Sequence, residues 1–162
     1  MYREAAVEVG RQLGRRGIGL VYGGGNVGLM GAVADAALAA GGQVIGVIPR
    51  ALVDREIDHR GLTQLRVVDS MHERKALMAE LSDAFLALPG GIGTFEELCE
   101  ALAWSKLGIH GKACGVLNVE GYYDPLLAMM DLAVSERFLA PEDRALLIAD
   151  TDAARLIERL LA

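Results

Sequence analysis

Apolar, β-branched runs alternate along the chain with segments of helical periodicity. The runs read IGLVYGGG, GQVIGVIP, LRVVD, AFLALPGG and ACGVLNV, and such continuous hydrophobicity is typical of buried strands. The segment LIADT adds a short edge strand. Helices are predicted between the strands, at about Tyr2–Arg15, Val27–Ala40, Met71–Leu81, Phe95–Leu107, Pro125–Phe138 and Ala153–Leu161. This alternation predicts an α/β fold with a doubly wound parallel sheet and helices on both faces.

Composition limits the classes of partner. The 162 residues, 52% of them hydrophobic, fit one domain with a sizeable core. A net charge of −6 without a basic tail or stripe argues against nucleic-acid binding, although a small phosphorylated ligand needs only one or two local cations. The charged start of the chain and the lack of a membrane-length apolar run predict neither a signal peptide nor a membrane partner.

The cysteines and histidines do not suggest a metal or disulfide framework. Cys99 and Cys114 lie far apart without CxxC spacing, and His59, His72 and His110 show no metal-ligand spacing. We therefore predict no metal site and a reducing, cytoplasmic location.

Two glycine clusters follow strands, at Gly23–Gly25 and Gly90–Gly93. In doubly wound sheets, ligands bind beyond the carboxyl ends of the strands. The first cluster, in VYGGGNVGLMG, contains GxxGxxG rather than the dinucleotide fingerprint GxGxxG. Two interpretations stay open for it: a tight turn with close strand-to-helix packing, or a ligand contact through Gly24 and Gly25.

The second cluster, in PGGIGTFEE, is the sharper signal. Gly90, Gly91 and Gly93 let backbone N–H groups approach an anion, Thr94 offers a hydroxyl, and a helix begins at the same place. The loop has no Walker A lysine, which disfavours nucleotide triphosphate hydrolysis and favours a monophosphate.

Glu97 follows this loop and has two interpretations. Thr94-x-x-Glu97 matches a capping box, in which the glutamate is purely structural. Alternatively, Glu97 shares a helical face with Ala101 and Trp104, where a semi-buried carboxylate one turn from a phosphate loop is a catalytic candidate.

An arginine interrupts the apolar face of the helix in DSMHERKALMAEL. Arg74 falls within the stripe of Met71, Leu77, Met78 and Leu81, so it is predicted to point inward and to meet a buried acid or an anionic ligand. Lys75 lies at the edge of the stripe, where it is either a snorkelling surface lysine or a ligand contact. Ser70-x-x-Glu73 again matches a capping box, and Glu56 lies in a charged loop.

Taken together, YGGGNVGLMG, HERKALM and PGGIGTFEEL resemble the LOG family, the cytokinin riboside 5′-monophosphate phosphoribohydrolases. The resemblance runs nearly end to end and implies a single Rossmann-like domain over residues 1–162. Family members open with a further strand and a Cys-Gly-Ser-Ser type loop, so we expect the family's first strand to be missing before residue 1. The family's older label, lysine decarboxylase, suits the chain poorly, because no pyridoxal site is evident around Lys75, Lys106 or Lys112.

The resemblance also implies roles for individual residues. Arg74 and Glu97 would act in catalysis, with Glu97 steadying positive charge on the ribose as the C1′–N9 bond breaks. Arg74, which cannot readily give up a proton, would position phosphate or substrate, or pair with Glu97. The nucleotide-binding set comprises Glu56, Arg74, Lys75, Gly90, Gly91, Ile92, Gly93 and Thr94, and we add Gly24 and Gly25 from the first loop.

The function that follows is hydrolysis of AMP or N6-isopentenyl-AMP to free base and ribose 5-phosphate, by a homodimer that needs no metal or organic cofactor. The alternative, from another class, is a non-catalytic carrier of a nucleotide or phosphorylated cofactor. Both interpretations predict phosphate binding at Gly90–Thr94. They differ at Glu97, which only the enzyme needs.

Overall fold

A computed structural model describes residues 1–54 and 61–162 as two compact units, Met1–Ser82 and Asp83–Ala162. Glu56 and His59 lie outside the described residues. The expectation of a single domain stays a prediction.

The first unit holds a three-stranded parallel sheet flanked by helices. Its elements in chain order are α1 (Tyr2–Arg15), β1 (Leu20–Tyr22), α2 (Gly28–Ala39), β2 (Val44–Pro49), a 3₁₀ turn (Arg50–Leu52), β3 (Gln64–Val68) and α3 (Met71–Leu81). The strand order is β1-β2-β3, with Leu20 opposite Val44 and Ile45 opposite Gln64. The carboxyl ends of β1 and β2 therefore lie at one edge of this sheet.

Helices α1 and α2 are packed so closely that glycine is required between them. A Cβ added at Gly10 would lie 2.3 Å from the carbonyl oxygen of Val33, and one at Gly14 would lie 2.6 Å from the Cβ of Ala40. Beneath α2, the buried residues Tyr22, Ala34, Ala37 and Val44 form a core cluster. Burial of this apolar surface fixes α2 on β1 and β2 and so positions the loop between β1 and α2.

The second unit repeats the pattern of a parallel sheet and flanking helices. Its elements are β4 (Ala84–Ala87), α4 (Ile92–Lys106), β5 (Ala113–Leu117), a 3₁₀ turn (Val119–Gly121), α5 (Asp124–Ser135), α6 (Pro141–Arg144), β6 (Leu147–Asp150) and α7 (Ala153–Leu160). The strand order is β4-β5-β6. Its core cluster contains Leu98, Val116, Tyr123 and Leu147. Leu98 anchors α4 to this core, which fixes the start of α4 at the end of β4.

The α/β class with parallel sheets flanked by helices is confirmed, and α1 and α3 match their predicted bounds. The edge strand in LIADT is also confirmed as β6. Two other helices differ from their predicted bounds at one end by three residues: α4 begins at Ile92, before Phe95, and α5 ends at Ser135, before Phe138. Helix α5 ends early because Arg137 adopts a left-handed φ of 64° and Phe138 donates its amide hydrogen bond to the carbonyl of Ala133, which together make a Schellman motif. Helix α6 was not predicted.

Candidate functional site

The second glycine cluster forms the turn between β4 and α4. Gly91 is the N-cap of α4, and the amide of Phe95 donates to its carbonyl at 3.1 Å in the first helical turn. The N–H groups of a first turn have no acceptor within the helix and carry the positive end of the helix dipole. The loop therefore has the backbone geometry that favours an anion, as its sequence predicts.

Packing does not explain two of the loop's three glycines. A Cβ added at Gly90 would lie 2.1 Å from Oγ1 of Thr94, so the side chain of Thr94 excludes any larger residue there. A Cβ added at Gly91 or Gly93 would meet nothing within 4 Å among the described residues, and neither glycine has a positive φ. Glycine at these two positions leaves open space at the helix N-terminus, where a bound group could approach the backbone closely.

The capping box predicted at Thr94 and Glu97 was wrong. Because Gly91 is the N-cap, Thr94 lies inside the first turn and cannot cap the helix. Glu97 lies in the second turn and is exposed rather than semi-buried. Glu97 thus lies on the surface of the second unit rather than on a semi-buried face of α4. Ile92, the first helical residue, is also unusual, since its apolar side chain is 82% exposed.

Two tyrosines hold the strand-to-helix loop, and sequence reasoning missed both. The Tyr122 hydroxyl donates to the carbonyl of Gly90, and the Tyr123 hydroxyl donates to the carbonyl of Leu88 at 2.6 Å. Tyr123 is buried, and this burial raises the pKa of its hydroxyl to about 12. A signal was present in the segment VEGYYDP, because adjacent tyrosines in an otherwise apolar unit need acceptors for their hydroxyls.

Asn118, at the end of β5, fixes the tyrosines in turn. Its side-chain oxygen accepts from the amide of Tyr123 at 2.8 Å, and its side-chain nitrogen donates to Asp124 at 2.7 Å. The rings of Tyr122 and Tyr123 also meet edge to face with centroids 5.2 Å apart. The end of β5 thereby supports the loop that follows β4.

In the first unit, Arg74 points inward as predicted. It is 6% exposed and is the one buried residue of α3, all of which is described. Its Nε donates to the carbonyl of Val47 at 3.0 Å, and its Nη2 donates to the carbonyl of Gly23 at 2.6 Å. The sequence suggested a buried acid or an anionic ligand as the partner of Arg74, whereas these two acceptors are main-chain carbonyls. The guanidinium joins the carboxyl-end regions of β1 and β2.

The first glycine loop packs tightly. This agrees with one of the two interpretations of its sequence, a tight turn with close strand-to-helix packing. Gly24 has a φ of +79°, and a Cβ added at Gly23 would lie 2.2 Å from Nη2 of Arg74. The hydroxyl of Tyr22 donates to the carbonyl of Gly25 at 3.0 Å, and burial raises the pKa of that hydroxyl well above its usual range. Packing and backbone conformation therefore account for glycine at 23 and 24, in contrast to 91 and 93.

The start of α3 is capped as predicted. The Ser70 hydroxyl accepts from the amide of Glu73 at 3.1 Å, and the Glu73 carboxylate accepts from the amide of Asp69 at 2.8 Å. This explains Glu73 structurally. Lys75, next to Arg74, is half-buried.

The predicted site residues thus fall into two groups. The first unit contains Gly24, Gly25, Arg74 and Lys75, and it brings Arg74 onto the glycine loop. The second unit contains Gly90, Gly91, Ile92, Gly93, Thr94 and Glu97, and it brings Thr94 against Gly90. Glu56 is outside the described residues.

No group of three or more potential metal ligands, and no helix long and apolar enough to cross a membrane, occurs in residues 1–54 and 61–162.

A helix-initiating glycine loop at the end of a parallel strand defines a Rossmann-like protein with a candidate anion site. The family model described as "Possible lysine decarboxylase" matches residues 30–160. The cytokinin riboside 5′-monophosphate phosphoribohydrolase LOG of Oryza sativa subsp. japonica is 52% identical over 98% of this chain and 66% of its own length. The corresponding LOG1 of Arabidopsis thaliana is 50% identical over 98% of this chain and 75% of its own length. The chain belongs to the LOG family.

These relatives are longer than the chain, which spans about two thirds to three quarters of their length. Solved structures with the same fold include the molybdenum cofactor binding protein of Rippkaea orientalis, with a TM-score of 0.73, 21% identity and coverage of 99% of this chain and 88% of that one. The molybdenum cofactor carrier protein of Chlamydomonas reinhardtii has a TM-score of 0.71, 24% identity and the same two coverages. At these identities the likeness establishes the fold alone.

Proposed function

We propose that this chain hydrolyses the N-glycosidic bond of N6-substituted adenosine 5′-monophosphates, releasing the free base and ribose 5-phosphate. The observation that carries the proposal is the open helix N-terminus at Gly91 and Gly93, in a chain about half identical to LOG phosphoribohydrolases. When the N6 substituent is an isoprenyl group, the released base is a free cytokinin.

The glycine loop of the second unit binds the 5′-phosphate. The amides at the start of α4 donate to phosphate oxygens, the Thr94 hydroxyl adds a further donor, and the helix dipole favours the negative charge. Ile92 offers an exposed apolar side chain beside the same loop. Gripping the phosphate fixes the ribose relative to the catalytic groups, which lowers the entropic part of the barrier. A nucleoside that lacks the phosphate is therefore a poor substrate.

Glu97 is the catalytic carboxylate. Cleavage of the C1′–N9 bond develops positive charge on the ribose and negative charge on the purine. A carboxylate near C1′ stabilises this cation and orients the attacking water. Overall, the hydroxyl of water goes to C1′ and its proton goes to the leaving base. Glu97 is exposed in the second turn of α4, the helix whose start binds the phosphate.

Arg74 and Lys75 supply positive charge for the anionic substrate. Hydrogen bonds to two main-chain carbonyls hold the Arg74 guanidinium rigidly, and a guanidinium keeps its charge at any physiological pH. Glu56 takes part in binding the nucleotide, as do Gly24 and Gly25 through their main chain. We assign Arg74 a catalytic role and the other four a binding role.

The active form is a cytoplasmic homodimer. Cys99 and Cys114 are free thiols, which suit a reducing compartment. In the second unit, large apolar side chains are more than half exposed, and a second copy of the chain would cover them. These side chains include Leu107, Ile109, Met129, Leu132 and Phe138. A dimeric mass by light scattering, against the 17.2 kDa of one chain, tests this part of the proposal.

Product analysis tests the function itself. The protein is incubated separately with AMP, N6-isopentenyl-AMP and adenosine, and free base and ribose 5-phosphate are quantified by chromatography. We expect equal amounts of the two products from at least one monophosphate and none from adenosine. The ratio of kcat/KM for the two monophosphates gives the base preference.

The opposite result identifies the other class of protein. A folded protein that binds both monophosphates but releases no base is a carrier rather than a hydrolase. Release of base from adenosine at a similar rate would contradict the role of the phosphate loop.

A further inference from the structure

Tyr122 occupies a position from which it can orient a single backbone amide of the phosphate loop. Its hydroxyl donates to the carbonyl of Gly90, and a carbonyl can only accept. The peptide that carries this carbonyl also carries the N–H of Gly91. No cis peptide occurs among the described residues, so this peptide is trans. In a planar trans peptide the C=O and N–H point in opposite directions.

We infer that Tyr122 is a positioning residue for phosphate binding, acting through the Gly90–Gly91 peptide. Because its hydroxyl holds the carbonyl of Gly90, the amide of Gly91 is directed to the opposite side of the peptide. Gly91 is exposed, and the space where its Cβ would stand is open within the described residues. This inference rests on the proposed function, in which the start of α4 receives a phosphate.

The neighbouring tyrosine makes the same kind of bond without the same consequence. Tyr123 donates to the carbonyl of Leu88, and the nitrogen of that peptide belongs to Pro89. Proline has no amide hydrogen, so rotation of this peptide turns no donor toward or away from a ligand. Tyr123 therefore stabilises the loop, whereas Tyr122 stabilises it and also orients a donor.

The support behind Tyr122 suits a positioning role. The amide of Tyr122 donates to the carbonyl of Val119 at 3.0 Å, and its ring packs edge to face on Tyr123, which is 1% exposed. Asn118 holds the amide of Tyr123. A hydroxyl fixed by this much structure holds its acceptor in one orientation, as a preformed binding site requires.

The test compares Tyr122→Phe with Tyr123→Phe, which each remove one hydroxyl. Binding of ribose 5-phosphate is measured by isothermal titration calorimetry, and the melting temperature of each variant is measured in parallel. We expect both variants to melt at lower temperature. Tyr122→Phe alone should raise the Kd for ribose 5-phosphate, by roughly tenfold, because one charge-assisted hydrogen bond is misdirected. Tyr123→Phe should leave the Kd within about twofold of wild type.

A second measurement on the wild-type protein covers the case in which a variant fails to fold. Titration with inorganic phosphate should shift the amide resonance of Gly91 in a ¹⁵N–¹H spectrum and leave that of Gly111 in place. An unshifted Gly91 resonance, or equal Kd values in Tyr122→Phe and wild type, would overturn the inference.

The outcomes separate this inference from the proposed function. If wild type hydrolyses AMP and Tyr122→Phe binds ribose 5-phosphate as tightly as wild type, Tyr122 has no positioning role but the proposed function holds. If Tyr122→Phe weakens the binding of ribose 5-phosphate but wild type cleaves no nucleotide, the positioning role of Tyr122 holds and the hydrolase function is wrong. If wild type neither binds ribose 5-phosphate nor releases base from any monophosphate, both are wrong.

Discussion

The guanidinium of Arg74 and the backbone of Gly23 are mutually dependent. Nη2 of Arg74 donates a 2.6 Å hydrogen bond to the carbonyl of Gly23, and a Cβ at position 23 would lie 2.2 Å from that same nitrogen. Gly23 follows β1 directly, whereas Arg74 lies on α3, 51 residues later. A buried arginine therefore sets both the position of the first glycine loop and the residue type allowed in it.

Gly23→Ala should destabilise the protein by about 2 kcal/mol, because the added methyl displaces Arg74 and leaves buried carbonyls unpaired. The same substitution should cost much less in an Arg74→Ala background, where the clash is gone. Urea denaturation of the four proteins in this double-mutant cycle measures the difference. Gly19→Ala is the control, because its Cβ would come no closer than 4.0 Å to its nearest neighbour among the described residues, the carbonyl oxygen of Gln43. Equal costs of Gly23→Ala in both backgrounds would contradict the coupling.

Gly93→Ala should separate stability from binding. Position 93 lies inside α4 with open space for a methyl group, so alanine should stabilise the helix by about 0.5–1 kcal/mol. The same methyl would stand where the phosphate approaches the backbone and should weaken ribose 5-phosphate binding by roughly tenfold or more. Gly90→Ala should instead lower the melting temperature, because its Cβ would meet Thr94. A Gly93→Ala protein that binds as tightly as wild type would place the phosphate elsewhere.

Asp150 should make stability depend on pH at the acid end. Arg155 donates to both of its carboxylate oxygens, at 2.6 and 2.8 Å, and holds the pKa of Asp150 well below its usual range. The pKa is lower in the folded state than in the unfolded state, so this stabilisation is fully present above about pH 4 and is lost as the pH falls further. Asp150→Asn should reduce the slope of unfolding free energy against pH by up to about 1.4 kcal/mol per pH unit below pH 4.

Asp131→Asn is the matched control for this pH dependence. Asp131 also pairs with an arginine, Arg144, at 2.7 Å, but its side chain is 64% exposed and water screens the pair. Its removal should leave the acid slope unchanged. If Asp150→Asn and wild type lose stability in parallel between pH 4 and pH 2, another carboxylate is responsible for the loss of stability at acidic pH.

The sequence predicted those parts of the fold that repeat regularly. Long apolar runs and helical periodicity identified every strand within residues 1–54 and 61–162, and the motif around Ser70 located the start of α3 correctly. The start of α4 was misplaced because the predicted helix began after Gly93, whereas the structure takes Gly91 as its N-cap and includes Gly93 in the first turn. A local motif such as Thr94-x-x-Glu97 cannot reveal which residue the backbone uses as its cap.

For a similar reason, the sequence could not predict which distant residues form hydrogen bonds with each other. Periodicity directed Arg74 inward, but its main-chain acceptors lie 27 and 51 residues away. The hydrogen bond from Tyr122 to Gly90 spans 32 residues. Backbone carbonyls are present at every position, so no residue type indicates which of them a buried donor will use.

The proposed hydrolysis of nucleoside 5′-monophosphates depends on Glu97. The most direct measurement is release of free base from N6-isopentenyl-AMP and AMP by wild type, Glu97→Gln and the neighbouring control Glu96→Gln, which also replaces an exposed carboxylate. Wild type and Glu96→Gln should release base and ribose 5-phosphate in equal amounts. Glu97→Gln should lose at least about a hundredfold in kcat while still binding ribose 5-phosphate. Turnover by Glu97→Gln at the wild-type rate would contradict the catalytic role of Glu97.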